Sequence, residues 1–207
     1  MKIVYLGHSA FKIVLKNGTT VVTDPYTKVG YELDKTLAAD IVTVSHGHFD
    51  HNYTAAVNGE PVIIDGTDEY VFDGGRITAI STFHDEQSGA LRGKNNVYVL
   101  QADGLTVCHF GDLGQAHNAR LIERLYGVDV LLIPVGGTYT INAEQAKAYV
   151  DAIKPAVVIP MHYKPQDGTL DIAALDGFLS LFDKYTFKKE FYCEKRNLAL
   201  QRRSSSF

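Results

Sequence analysis

Three histidines fall within six positions in the segment SHGHFDH, which spans residues 45–51. The four residues before this segment are apolar or β-branched, as in a buried strand. Side chains two positions apart on an extended chain point to the same side, so His46 and His48 can bind one cation. Asp50 and His51 are displaced far enough along the segment to bind a second cation nearby. A metal site at the end of a strand is therefore the strongest constraint that the sequence places on the fold.

Three further candidate ligands stand at comparable places in the chain. His84, Asp112 and His162 each follow an apolar, strand-like segment, and an α/β sandwich collects its site residues where strands end. Imidazole nitrogens and carboxylate oxygens without thiolates are typical ligands of zinc, and also of manganese or iron. We expect Asp112 to bridge two cations. The remaining ligands divide into His46, His48 and His84 on one cation, and Asp50, His51 and His162 on the other.

The remaining sequence predicts strands in the first half and alternating helices and strands in the second. The predicted strands span residues 2–6, 11–15, 19–23, 41–45, 62–64, 76–82, 97–101, 105–109, 129–134, 156–160 and 197–201. The predicted helices span residues 52–57, 116–126, 142–153 and 172–182. No linker rich in Pro, Gly or Ser interrupts this pattern, so we expect a single domain over residues 1–207. Two sheets packed face to face, with helices outside, allow every element to bury one face.

The charge balance and the cysteine usage restrict the function further. The 207 residues carry 20 Lys and Arg against 24 Asp and Glu, a net charge of −4, whereas phosphate binding is built on clustered positive charge. Cys108 and Cys193 form no CxxC pair. We find no signal peptide, and no apolar run approaches the ~20 residues that span a membrane. We therefore expect a cytoplasmic protein with a small-molecule substrate, no nucleic-acid partner and no membrane span; the oligomeric state is left open.

The motifs, taken together, resemble those of the metallo-β-lactamase superfamily. The resemblance rests on HGHFDH at 46–51, the later His84, GDLG at 111–114 and PMHY at 160–163, with further matches at 7–11, 23–25 and 134–140. It is closer to a small bacterial branch of metal-dependent hydrolases, similar to ascorbate-phosphate lactonases and N-acyl-phosphatidylethanolamine phospholipases. The resemblance implies a four-layer αββα sandwich with a dinuclear metal site at one edge.

The ligand set and the resemblance together predict a hydrolase. Two cations roughly 3.5–4 Å apart lower the pKa of a bound water and polarise an electrophile. We expect metal-bound hydroxide to attack a small ester, lactone or phosphodiester, with Asp50 and Asp112 as the catalytic carboxylates. Zinc is the first expectation for the two divalent cations, with manganese and iron as alternatives. Serine or thiol catalysis has no support, because the chain has no Gly-x-Ser-x-Gly elbow and neither cysteine lies beside a base in the sequence.

Two residues are candidates for roles close to the ligands. His109 competes with His84 as the third ligand of the first cation, although in the family pattern the ligand does not stand at that position. Asp24 resembles the family's buried aspartate that braces the metal loop, which suits the need to orient ligating imidazoles. The alternative for Asp24 is an ordinary turn aspartate before Pro25.

Other residues are candidates for contacts with substrate. His8 is expected either to line the pocket or to aid proton transfer. Tyr139 and Tyr163 follow predicted strand ends and either contact substrate or are ordinary exposed loop residues. The segment at residues 85–96 is expected to be either a mobile lip over the site or simply a long turn.

Three other functions are compatible with the same ligand set. Metal-dependent nucleases of this kind normally carry an RNA-binding arm or an inserted domain, and this chain has neither the length nor the basic surface for one. Related diiron redox enzymes commonly carry a flavin module or a carboxylate in place of one histidine, and neither is seen in the sequence. A non-catalytic metal- or ligand-binding protein would not need the complete ligand set that this chain has.

Overall fold

The computed structural model describes residues 1–30, 32–165, 168, 170–188, 190–195 and 197–198. The strands in these residues are β1 (Lys2–Gly7), β2 (Ala10–Val14), β3 (Thr20–Thr23), β4 (Ile41–Thr43), β5 (Val62–Ile64), β6 (Tyr70–Phe72), β7 (Gly75–Phe83), β8 (Lys94–Ala102), β9 (Leu105–His109), β10 (Val130–Pro134), β11 (Val157–Met161) and β12 (Glu190–Tyr192). The helices are α1 (Ala119–Leu125), α2 (Ala143–Ile153), α3 (Asp176–Leu179) and a short 3₁₀ helix, Thr54–Ala56. Among the described residues, none of the helices is long and apolar enough to cross a membrane.

The first sheet has the strand order β12-β1-β2-β3-β4-β5. Its strands β1, β2 and β3 pair antiparallel, and Asn17-Gly18, a typical hairpin dipeptide, lies in the turn between β2 and β3. β3, β4 and β5 pair in parallel. As a result β1, β3 and β4 run in one direction, and the residues that follow them meet at one edge of the sheet.

The second sheet has the strand order β11-β10-β9-β8-β7-β6. β7 and β8 form a long antiparallel hairpin, and β8 pairs antiparallel with β9. β9, β10 and β11 are parallel, and parallel neighbours need crossover connections, which contain α1 and α2. β7, β9, β10 and β11 therefore also run in one direction and end at a common edge.

The two sheets pack face to face around one large apolar cluster. The cluster joins Phe11 and Ile13 of β2 to Val97 of β8 and Leu131 of β10, each no more than 2% exposed. Every residue of β10 is buried, which explains why this strand reads as a continuous apolar run rather than an alternating one.

The outer faces of the two sheets are covered in different ways. The apolar residues of α1 and α2 join the main cluster; they are Leu121, Leu125, Ala146, Tyr149 and Ile153. On the first sheet, Val22 and Val42 pack with Leu37 and Val57 in a second cluster, so loops beside the 3₁₀ helix cover this face. The two stacked sheets with flanking helices confirm the α/β sandwich predicted from the sequence.

Several element boundaries differ from the prediction. The helix predicted at residues 52–57 is only the 3₁₀ helix, and the helix predicted at 172–182 shortens to α3. α1 begins at Ala119 rather than at residue 116, because the Asn118 side chain accepts a hydrogen bond from the Leu121 amide. Asparagine in this position caps a helix, and the residues before it stay outside.

Two edge strands are absent from the sequence-based prediction. β6 forms a hairpin with β7 in which Phe72 pairs with Gly75, so Asp73-Gly74 is the two-residue turn, and Asp-Gly is a recognisable hairpin signal. β12 pairs with β1 at the edge of the first sheet, whereas the closing strand was predicted at residues 197–201. Asn197 and Leu198 are helical, and residues 199–201 lie outside the described residues.

Candidate metal centre

The predicted ligands lie together because their strands end at facing edges of the two sheets. The segment 45–51 follows β4 in the first sheet, while His84, Asp112 and His162 follow β7, β9 and β11 in the second. The strands in each sheet that carry these residues run in the same direction. One end of the sandwich therefore collects all seven predicted ligands, although they are spread over more than half of the sequence.

His46, His48 and His84 form the first cluster. Nε2 of His46 lies 3.0 Å from Nδ1 of His48, and the ring centres of His46 and His84 are 4.6 Å apart. One nitrogen of each residue lies within 4.8 Å of a nitrogen of the other two, a spacing that one cation could span. His48 is the exposed member of this cluster, so the cluster is open to solvent on that side.

Asp50, His51 and His162 form the second cluster, and His8 lies with them. The ligand atoms of these four residues also lie within 4.8 Å of one another. Oδ2 of Asp50 is 3.7 Å from Nε2 of His51 and 3.3 Å from Nε2 of His8. The sequence predicted three ligands for this cluster, and the structure adds His8 to the same group.

Asp112 lies between the two clusters. Its Oδ2 is 3.2 Å from Nε2 of both His51 and His84, 3.3 Å from Nε2 of His162 and 3.9 Å from Nε2 of His46. Burial alone would raise the pKa of this carboxyl, but the adjacent His162 and His51 lower it well below its usual value. Asp112 is therefore an anion surrounded by histidines of both clusters.

Asp24 makes hydrogen bonds to the metal loop from beneath it. The fully buried carboxylate accepts hydrogen bonds from the amide of Ser45 at 2.8 Å and from its hydroxyl at 2.6 Å. It also lies 2.8 Å from Nδ1 of His51. The Ser45 hydroxyl is in turn 3.0 Å from Nδ1 of His46. One carboxylate thus contacts a histidine of the second cluster directly and a histidine of the first through Ser45.

Asn95 holds the backbone that carries Asp112. This fully buried side chain accepts a hydrogen bond from the Asp112 amide at 2.8 Å and donates to the carbonyl of Phe110 and the hydroxyl of Thr82, both at 2.9 Å. Asn95 and Ser45 are absent from the sequence-based list of site residues. Asn95 stands between Lys94 and Asn96 at the start of β8, so the local sequence carries no signal of its burial.

The surroundings of the histidines set their charge. Burial, followed by the nearby His51, lowers the pKa of His46 to about 3, so its imidazole is neutral, as a metal ligand must be. His51 differs, because its ring lies between two carboxylates. Burial alone would lower the pKa of His51, but Asp112 and Asp24 raise it well above the usual value. The position of His51 therefore favours positive charge, and a cation held by the second cluster would supply that charge in place of a proton.

His109 lies outside both clusters. Its Nε2 donates to the Ser9 carbonyl at 2.8 Å, and its Nδ1 accepts from the Gly111 amide at 3.1 Å. Neutral histidine has one donor and one acceptor nitrogen, and both are used here. The geometry therefore favours His84, and not His109, as the third ligand of the first cluster.

We predict that His84→Ala loses one bound cation per chain and that His109→Ala keeps both. Metal content after desalting, measured by elemental analysis, checks this pair. If the alanine variant of the buried His109 fails to fold, His109→Gln is used in its place, because glutamine keeps a donor for the Ser9 carbonyl. If a folded His109 variant loses a cation while His84→Ala keeps both, His109 would be the third ligand of the first cation and His84 would not.

Tyr139 and Tyr163 occupy different surroundings. Tyr139 is 41% exposed, in the loop that follows β10. Tyr163 follows His162 directly and is half-buried, with its ring centre 6.0 Å from that of Tyr5. Burial raises the pKa of the Tyr163 hydroxyl, so it is a neutral donor at physiological pH.

The orphaned polar atoms of the centre fit divalent cations. Buried polar atoms in proteins nearly always have hydrogen-bond partners. Oδ1 of Asp112 is buried without one among the described residues, and Nε2 of His51 lies 3.2 Å from Oδ2 of Asp112 in a geometry that makes no hydrogen bond. Cations in the two clusters would satisfy such atoms. The donor set consists of nitrogen and oxygen atoms, which suits zinc, manganese and iron.

Comparisons with known proteins agree with this geometry. Residues 2–162 match the family model described as the beta-lactamase superfamily domain. A UPF0173 metal-dependent hydrolase of Methanospirillum hungatei is 34% identical over 192 residues, covering 81% of this chain and 84% of that protein. A second one, from Methanoculleus marisnigri, is 34% identical over 188 residues, covering 79% and 81%.

Solved structures point the same way. A candidate Zn-dependent hydrolase of the metallo-β-lactamase superfamily from Thermotoga maritima is 39% identical, with a TM-score of 0.74 over 89% of this chain and 87% of that one. A metallo hydrolase from Ignicoccus hospitalis is 28% identical, with a TM-score of 0.62 over 79% and 82%. The chain therefore belongs to the metallo-β-lactamase superfamily of metal-dependent hydrolases.

Proposed function

We propose that this chain uses two divalent cations to hydrolyse a small ester, lactone or phosphodiester. The observation that carries the proposal is the position of Asp112, whose Oδ2 lies 3.2 Å from Nε2 of both His51 and His84. Because these histidines belong to different clusters, one carboxylate can contact a cation in each. The first cation would be held by His46, His48 and His84, and the second by Asp50, His51 and His162.

Zinc is the cation that we propose first. The relative from Thermotoga maritima is described as a candidate Zn-dependent hydrolase, and manganese or iron would suit the same donors. When bound, a pair of such cations makes water a stronger acid and polarises the bond to be cleaved. The tasks left to the protein are to hold the ligands in place and to admit the substrate.

The protein orients the ligands through hydrogen bonds outside the clusters. Asp24 fixes the ring of His51 and, through Ser45, that of His46, while Asn95 fixes the backbone at Asp112. Such outer contacts set the tautomer and the direction of a ligating imidazole. We assign Asp24 this positioning role, and assign Asp50 and Asp112 to the cations themselves.

His8 links two members of the second cluster. Its backbone is left-handed (φ 51°), and its carbonyl accepts hydrogen bonds from the Tyr5 hydroxyl at 3.0 Å and from the His162 amide at 2.9 Å. Its ring contacts Asp50 through Nε2. We assign His8 to positioning Asp50 and His162 for the second cation.

We predict that His8→Asn weakens binding of the second cation by about 10-fold or more, as is typical when an outer partner of a metal ligand is lost. Asparagine tolerates a left-handed backbone, so the turn and its carbonyl stay in place while the ring is removed. Competition titration with a chromogenic zinc chelator measures the affinity. His117→Asn changes an exposed histidine outside the clusters and is the matched control; equal affinities in both variants would contradict the assignment.

The proposed function is tested by reconstitution. Metal-stripped protein is titrated with zinc and assayed on a panel of 4-nitrophenyl esters, lactones and bis(4-nitrophenyl) phosphate. We expect hydrolysis of at least one class, with activity rising until two equivalents are bound. Full activity in the metal-stripped protein, or no hydrolysis of any class at two equivalents, would contradict the proposal.

The redox alternative depends on the identity of the metal. The fold also occurs in a diiron β-hydroxylase from Streptomyces venezuelae, which is 16% identical with a TM-score of 0.56, a likeness that extends to the fold alone.

A small-molecule substrate and a cytoplasmic location remain predictions from the sequence.

A further inference from the structure

An open cavity of about 230 Å³ is lined by residues that stand next to two of the proposed ligands in the chain. Its walls include Asp85, the residue after His84, and Gly114, two residues after Asp112. A side chain on Gly114 would overlap the carbonyl group of His84, so glycine is required for this close approach. The segments that carry two of the proposed ligands therefore also form the wall of the cavity.

Of the segment predicted at residues 85–96 as a lip or a long turn, residues 94–96 belong to β8. The rest, residues 85–93, forms one side of the cavity and is the lip, and one buried carboxylate shapes it. Oδ1 of Asp85 accepts from the amides of Gln87 and Gly89 at 2.8 and 2.9 Å, and Oδ2 accepts from those of Leu91 and Arg92 at 3.0 and 2.8 Å. Four amide donors compensate the charge of this carboxylate and give the lip a fixed turn. The turn brings Arg92 to the cavity.

Arg92 extends from the lip to the opposite wall. Its Nη2 donates to the Thr138 carbonyl at 3.3 Å, and its guanidinium carbon lies 5.4 Å from the centre of the Tyr139 ring. A guanidinium carries five N–H donors, and the Thr138 carbonyl uses one. Among the described residues, no carboxylate forms an ion pair with Arg92 within 4.0 Å. A positioned arginine with spare donors thus faces the cavity's other lining residues.

The opposite wall is also tied to the metal centre. A side chain on Gly136 would overlap the carbonyl oxygen of His162, so the loop that leads to Thr138 and Tyr139 packs directly on a proposed ligand. Glu86 is the other acidic residue of the lining. Gln145 donates to its carboxylate at 3.4 Å. Because Glu86 is exposed, water screens its charge from Arg92.

We propose that Arg92, stacked on Tyr139, binds an anionic group of the substrate while the bond to be cleaved lies at the metal centre. The substrate would then be a small ester, lactone or phosphodiester that carries a carboxylate or phosphate group away from the reacting bond. Planar guanidinium groups bind both of these anions through paired N–H donors. This inference rests on the proposed function for its reaction, but the anion site itself can be measured separately.

The test compares two esters of equal length in the metal-loaded protein, mono-4-nitrophenyl glutarate and 4-nitrophenyl valerate. Arg92→Ala is expected to raise KM for the charged ester by about 10-fold or more, the loss typical of a hydrogen-bonded charge pair. It should change kcat for that ester, and both constants for the neutral ester, by less than about twofold. Arg92→Lys should recover only part of the affinity, because an ammonium group lacks the planar fork.

Anion binding is measured in the same variants by calorimetry with glutarate and with phenyl phosphate. Both Kd values should rise, by about 10-fold, in Arg92→Ala. If the two rises differ, the larger one identifies the anion that Arg92 binds more strongly. Arg120→Ala, an exposed arginine on α1, should match the unaltered protein. Weaker binding without hydrolysis of any ester would support the anion site and overturn the hydrolase proposal, whereas unchanged Kd and KM values would overturn the anion site.

Discussion

Replacing Asp112 with alanine is expected to lower the metal content from two cations per chain to about one. The carboxylate lies within 3.3 Å of the Nε2 atoms of His51, His84 and His162 and would be shared by both cations. Without it, both clusters lose the bridging ligand. The first keeps three imidazoles, whereas the second keeps two imidazoles and the partly exposed Asp50, so we expect the second cation to be the one that is lost. We expect activity to fall more than about 100-fold, because even outer partners of metal ligands are worth 10- to 100-fold.

The fold of Asp112→Ala is expected to persist. The carboxylate is surrounded by histidines rather than by apolar core residues, and the backbone at this position stays bonded to Asn95. Circular dichroism and thermal unfolding of the metal-stripped protein check this point. Asp68→Ala, at an exposed aspartate in a loop, is the matched control and should keep two cations. Unchanged metal content in a folded Asp112→Ala would contradict the bridging position.

Replacing Asp24 with alanine is expected to affect metal binding and stability together. The carboxylate accepts hydrogen bonds from the amide and hydroxyl of Ser45 and pairs with His51. Removing one partner of a buried charge pair costs about 3–5 kcal/mol in the free energy of unfolding. Because Asp24 contacts His51 directly and His46 through Ser45, the affinities of both cations should fall. Ser45→Ala, by contrast, should weaken the first cation more than the second.

Urea unfolding of the metal-stripped protein separates the two effects of Asp24→Ala. Asp129→Ala provides the control, because Asp129 is also buried and accepts from the amide of Thr106 and the ammonium of Lys195. It precedes β10 and so lies at the opposite end of the strand from the metal centre. We expect Asp129→Ala to lower stability but to keep both cations. Normal affinity for both cations in Asp24→Ala would contradict its positioning role.

The sequence was sufficient to predict the sandwich and the residues that meet at its edge. Strand positions and candidate ligands follow from local patterns, since the apolar runs of β4, β7, β9 and β11 are each followed within a few residues by a candidate ligand, and parallel strands bring such ends together. The αββα layers are what the resemblance to the metallo-β-lactamase superfamily implies; α1 and α2 cover the second sheet, and loops beside the 3₁₀ helix cover the first. For residues with several candidate roles, such as His8, the contacts in the structure were needed to choose among those roles.

The residues missed by the sequence act through contacts between distant segments. Asn95 lies between Lys94 and Asn96 at the start of β8, and its role depends on the approach of the loop at Asp112, 17 residues away. Ser45 is adjacent to His46 in sequence, but its role depends on Asp24. The pairing of Arg92 with Thr138 spans 46 positions. Local patterns carry no signal for such partners, because each residue taken alone resembles an ordinary loop or strand residue.

The central claim is that the chain binds two divalent cations in adjacent clusters, and the most direct test is the metal content of the purified protein. Elemental analysis combined with native mass spectrometry gives the identity of the metal and the number of atoms per chain. We predict about two zinc or manganese ions per chain. Mainly iron would favour an oxygen-dependent redox enzyme over a hydrolase. Little or no metal, even after reconstitution, would contradict the claim and leave a non-catalytic binding protein as the better account.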